Sequence, residues 1–118
     1  MRAWLLLFIP AVMFSSCAEQ KERKPTYLLD EEKMVSVMVD LHLVETAHNL
    51  KVMENDTNNA RYEQFMATVF VSNEVRKGQF DSSLFYYSTR TEEMNVIYDK
   101  VLERLSELES QVRSEQHP

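Results

Sequence analysis

Asp30-Glu31-Glu32-Lys33-Met34-Val35-Ser36-Val37-Met38-Val39-Asp40-Leu41-His42-Leu43-Val44-Glu45 contains no glycine or proline and shows no strict alternation of apolar and polar residues. It therefore reads as helix rather than strand. Asp30 is a good N-cap, Glu31 and Glu32 suit the positive first turn, and Leu29 is placed to staple against Met34. The spacing predicts a helix running to about Met53. At about 100° per residue, Met34, Val37, Met38, Leu41 and Val44 share one face, while Val39, Leu43 and Leu50 lie opposite. Only Ser36, Asp40 and Ala47 form a plainly polar or small strip. A helix so nearly apolar all round is expected at the centre of a bundle, contacted by several neighbours.

The rest of the chain continues the pattern. Asn55-Asp56-Thr57-Asn58-Asn59 reads as a loop that caps a second helix, in which Tyr62, Phe65, Met66, Val69 and Phe70 recur at three- and four-residue steps. A third helix is expected from near Arg76, with Phe80, Leu84 and Tyr87 on one face and Phe85 and Tyr86 off it. The last should start at Thr89 or Thr91 and end near Arg113. In it Met94, Tyr98, Val101, Leu105, Leu108 and Val112 form a heptad seam, which is too short for an independent coiled coil and so is expected to pack within the domain. The fold class is all-α: a small bundle of about four helices over residues 27–113, followed by a disordered tail over 114–118.

Ahead of the bundle, Arg2 precedes the apolar run Ala3–Phe14, then Ser15, Ser16 and the only cysteine, Cys17. This is the plan of a secretory signal: a positive end, a short apolar helix and small residues before a cleavage site. A dozen apolar residues fall short of the ~20 needed to span a bilayer. Phe14-Ser15-Ser16-Cys17 resembles the lipobox of bacterial lipoproteins, in which the cysteine is acylated and becomes the new amino terminus. That resemblance implies that residues 1–16 are removed, that Cys17 is lipidated and that residues 17–26 are a flexible tether. Acylation also accounts for a lone thiol in an oxidising compartment, and several acyl chains anchor stably where one does not. The residue after Cys17 is Ala18 and not the Asp that would resemble a bacterial inner-membrane retention signal, which implies the outer membrane, with the periplasmic face preferred.

Composition excludes several functions. From Cys17 onward, nineteen Asp and Glu face twelve Lys and Arg, a net charge of −7 that argues against a nucleic-acid grip or a basic membrane-surface patch. A single glycine, Gly78, excludes a phosphate-binding Gly-rich loop, a dinucleotide turn and a GxSxG elbow. With one cysteine there is neither an internal disulfide nor a cysteine zinc site.

Two constellations remain. His42, Glu45 and His48 stand at i, i+3 and i+6, with Glu45 near the middle of the Met34, Met38 and Leu41 face. They read either as a metal or proton-transfer site or, in preference, as a buried Glu–His or Glu–Tyr hydrogen-bond pair. Phe80-Asp81-Ser82-Ser83-Leu84-Phe85-Tyr86-Tyr87-Ser88 is the richest polar and aromatic cluster. No base stands near Ser82 or Ser83 by spacing, so a serine nucleophile is disfavoured. Phe85, Tyr86 and Asp81 are expected on an interaction surface, with Asp81 or Ser83 also able to bond within the helix. Neither a catalytic set nor a cofactor or metal site is expected.

Three features together resemble a family of small Bacteroidota lipoproteins classed as a domain of unknown function. These are Ser-Ser-Cys after a short leader, Lys33-Met34-Val35 leading into Asp40-Leu41-His42-Leu43-Val44-Glu45, and Gln79-Phe80-Asp81-Ser82-Ser83-Leu84-Phe85-Tyr86-Tyr87-Ser88 followed by Ile97-Tyr98-Asp99-Lys100-Val101-Leu102-Glu103. The likeness covers about Pro25 to Leu108. Where the family pattern has a glycine and a capping Ser or Thr between the second and third helices, this chain has Asn73-Glu74-Val75-Arg76. The resemblance implies a helical envelope lipoprotein and transfers no catalytic residue. The expected function is a lipid-anchored interaction module or accessory subunit, with the bilayer and an unidentified envelope protein as partners. The alternative is a small-ligand or metal-binding protein using His42, Glu45 and His48.

Overall fold

A computed structural model describes residues 23–50 and 60–117. They form four helices: α1 Glu31–Asn49, α2 Ala60–Ser72, α3 Lys77–Ser88 and α4 Thr91–Gln116. No strand occurs among the described residues, and the all-α bundle agrees with the sequence pattern. The leader, Cys17, the tether up to residue 22 and the loop at Asn55–Asn59 lie outside the described residues.

The start of α1 is the one its sequence specifies. The Asp30 carboxylate accepts from the Lys33 backbone N–H at 2.8 Å, and both Leu29 and Met34 are buried, as a staple requires. Met34, Val35, Val37 and Val39 point to different sides of α1, yet all are buried, because α1 packs against α2, α3 and α4. This central role belongs to its first half. Beyond Leu41 most side chains are exposed, Leu43 and Leu50 among them, so the apolar far face is covered only where neighbours reach it. The last helical bond of α1 runs from the Leu50 N–H to the Thr46 carbonyl at 2.9 Å, and with Leu50 as its C-cap the helix stops at Asn49, short of Met53.

The junction between α2 and α3 is a Schellman turn. The Val75 N–H bonds the Phe70 carbonyl at 2.9 Å and the Glu74 N–H bonds the Val71 carbonyl at 3.0 Å, with Glu74 in the left-handed region at φ 56°. Glu74 thus occupies the conformation that glycine adopts most cheaply, in the interhelical stretch where the family resemblance expects a glycine. The turn is held from α1. Lys33 Nζ donates to the Asn73 carbonyl at 3.0 Å, and the buried Asn73 amide donates to Asp40 at 2.8 Å and to the Val69 carbonyl at 2.9 Å. Asp40, on the narrow polar strip of α1, is therefore a docking point for the end of α2.

The seam of α4 departs from the expected one. Met94, Ile97 and Val101 are buried and Leu105 and Leu108 partly so, whereas Tyr98 and Val112 are exposed. Ile97 and Tyr98 flank the Met94–Val101 line on opposite sides, and it is the isoleucine side that the neighbouring helices cover. Lys100 pairs with Glu31 and with Glu32, and Arg104 reaches Glu32 at 3.5 Å, tying α4 to the start of α1. The Lys100 ammonium holds the Glu32 carboxyl below its usual range. α4 runs on to Gln116, three residues past the expected end and into the stretch expected to be disordered, and from Glu109 every described residue is exposed.

Candidate functional site

α3 has two working faces, and the polar and aromatic richness of its sequence divides between them. Its inner face packs Phe80, Leu84 and Tyr87 into the core, with the Phe80 ring 5.7 Å from that of Phe70. Among these apolar groups lie Gln79, Ser83 and Tyr87 at i, i+4 and i+8, one above another on the helix. Their polar atoms reach the backbone of the lead-in segment, residues 23–29. The Gln79 amide donates to the Tyr27 carbonyl at 3.1 Å, the Leu29 N–H donates to Ser83 Oγ at 2.9 Å, and the Tyr87 hydroxyl donates to the Leu29 carbonyl at 2.8 Å. Ser83, fully buried, donates its own hydroxyl hydrogen bond to the Gln79 carbonyl at 2.8 Å. Leu29 is buried just ahead of the Asp30 cap, where its peptide groups have neither helix nor water and need partners inside the domain. This ladder supplies them. Burial pushes the Tyr87 phenol up from its ordinary value.

The outer face of α3 and the clasped segment enclose an open groove of about 590 Å³, lined by Arg23, Pro25, Tyr27, Asp81, Ser82, Phe85 and Tyr86. Phe85, at 61% exposure, and Tyr27, at 53%, are its exposed aromatic residues. Tyr86 is half-buried, edge-on to Tyr87 with ring centroids 5.4 Å apart, and the Arg90 guanidinium lies 3.6 Å from its ring centroid. Asp81 is engaged with Lys77 at 2.6 Å, an exposed pair one helical turn apart. A Cβ at Gly78 would meet nothing within 4 Å, so that side of α3 is open.

The structure thus brings Asp81, Phe85 and Tyr86 together on one surface and adds Arg23, Pro25 and Tyr27, which the sequence pattern assigned to the tether or to the edge of the domain. Ser82 and Ser83, indistinguishable in sequence, separate completely: one lines the groove and the other is sealed beneath it. A trace of the ladder was readable, since Gln79, Ser83 and Tyr87 place polar atoms on the face that Phe80 and Leu84 mark as buried.

The histidine cluster is arranged otherwise than expected. His42 and Glu45 are exposed, so neither the burial of Glu45 nor a buried Glu–His pair occurs. His48 is half-buried and packs against Tyr62 with ring centroids 4.4 Å apart, joining the end of α1 to the start of α2. Among the described residues no three or more His, Cys, Asp and Glu side chains are grouped so as to hold a metal ion. Nor is any described helix long and apolar enough to cross a membrane.

A family model described as Domain of unknown function (DUF4296) matches residues 25–111, and the chain belongs to that family. The match takes in every groove residue except Arg23. No curated protein and no solved structure matches the chain.

Proposed function

We propose that this family member is a non-catalytic contact module of a bacterial envelope, anchored through acylated Cys17 and serving as an accessory subunit that keeps a partner close to the membrane. The observation that carries the reading is the groove of Arg23, Pro25, Tyr27, Asp81, Ser82, Phe85 and Tyr86, an open surface with exposed aromatic side chains beside the point where the tether joins the domain. Aromatic side chains with a polar end are what contact surfaces use, because they bury much area at little conformational cost. The leader and Cys17 support the location, with the periplasmic face of the outer membrane preferred.

The test is capture of the tagged protein from crosslinked cells, with Cys17→Ala as the mislocalised control. An envelope protein recovered with the native chain and lost with Cys17→Ala supports the proposal. Recovery of the bait alone across crosslinkers of different reach refutes it.

A further inference from the structure

The groove sits at the end of a short leash. Arg23 is six residues beyond Cys17, at most about 21 Å of fully extended chain. The clasp made by Gln79, Ser83 and Tyr87 fastens the lead-in segment to α3, so this face of the domain is tied close to the anchoring residue. We infer that the groove face lies against the phospholipid headgroup layer of the anchoring membrane, with Tyr27, Phe85 and Tyr86 in the interfacial zone. The inference rests on the reading that Cys17 is acylated and, within the proposed contact role, it names the bilayer surface as what the groove touches, so that a protein partner meets the domain on another face.

Two independent features favour lipid as the occupant. Amphipathic tyrosine rings settle at the level of the headgroups, and Tyr27 is exposed on this face beside the exposed apolar ring of Phe85. Charge is also distributed unevenly. The lead-in segment carries Arg23 and Lys24 and no acid, and α3 carries only Lys77 and Asp81, paired with each other, whereas α1 and α4 together hold eleven Asp and Glu against four Lys and Arg. An anionic bilayer surface repels those acids within a Debye length of about 8 Å and tolerates the α3 face. The net charge of the chain argued against a basic membrane patch, but it averages over faces that the fold separates. A lipid anchor and a second weak surface contact also reinforce each other, as paired membrane signals do.

The mature chain lacks tryptophan, because Trp4 precedes Cys17, so an introduced one reports alone. The acylated protein carrying Phe85→Trp is reconstituted into vesicles of phosphatidylethanolamine and phosphatidylglycerol with brominated acyl chains. Leu102→Trp, on an exposed position of α4, is the reference. Both substitutions replace exposed side chains, so the core is kept.

Flotation with the vesicles is scored first. The expected result is co-flotation of both proteins, with a blue-shifted emission for Phe85→Trp that bromine quenches and aqueous iodide reaches poorly, and the reverse for Leu102→Trp. Co-flotation with equal iodide quenching of both and no bromine quenching overturns the lipid contact while leaving the anchor intact. Failure to float removes the anchor, and the inference falls with it. If bromine does not quench and Phe85→Ala abolishes capture of an envelope protein in crosslinked cells, the groove belongs to that protein instead.

Discussion

Replacing Ser83 with alanine tests the clasp at its most enclosed point. Ser83 Oγ is the acceptor for the Leu29 N–H at 2.9 Å, Ser83 is fully buried and Leu29 nearly so. Alanine removes the acceptor and admits no water, which leaves a buried amide without a partner. The Gln79 carbonyl, by contrast, keeps its bond within α3, so that side of the change costs little. An orphaned buried donor costs about 1–3 kcal/mol. For a domain of this size each kcal/mol lowers Tm by roughly 4–8 °C. Ser83→Ala is therefore expected to lower Tm by about 5–20 °C and to speed hydrogen exchange at the Leu29 amide, measured by thermal unfolding with circular dichroism and by exchange mass spectrometry. Ser82→Ala, one residue away in the groove, should stay within about 0.5 kcal/mol of the native protein. Equal stability of the two variants, or an unchanged Leu29 exchange rate in Ser83→Ala, would refute the reasoning.

Glu74→Gly should raise stability by about 0.5–1 kcal/mol, the relief of left-handed strain outweighing the entropy of a freer unfolded chain, and an unchanged or lower urea midpoint would count against the turn as described. In α4, Ile97→Ala should cost about 2–5 kcal/mol while Tyr98→Ala changes stability by under about 1 kcal/mol; the opposite order in denaturation curves would restore Tyr98 to the seam. Because burial raises the Tyr87 phenol pKa, the folded state holds that proton more tightly than the unfolded chain. Its contribution is complete below the ordinary tyrosine value near ~10 and is lost as pH rises through the higher folded value. Tyr87→Phe should flatten this alkaline limb in unfolding midpoints followed from pH ~8 to ~11, and an identical pH profile for the two proteins would contradict the burial argument.

The helical class, the Asp30 cap, the central position of the first half of α1 and the placing of Phe85 off the buried face of α3 were legible in the sequence. Each depends on interactions within a few residues or on a periodicity that a single helix already expresses. Residue order left open which side of an apolar helix meets a neighbour. Ile97 and Tyr98 are both placed to join a seam, and only the packing partners chose the isoleucine. Glu45 looked interior by phase, but beyond Leu41 α1 is covered on one side only, where Val44 meets the core and His48 meets Tyr62, and the carboxylate is left exposed. The clasp was the least legible part, since its bonds join positions more than fifty residues apart, Leu29 to Ser83 and Leu29 to Tyr87. Local sequence thus determined what the helices are and where they start. Tertiary structure decided which of two adjacent serines is buried and which segment completes the groove, because burial and hydrogen bonding between distant residues exist only once the chain has packed.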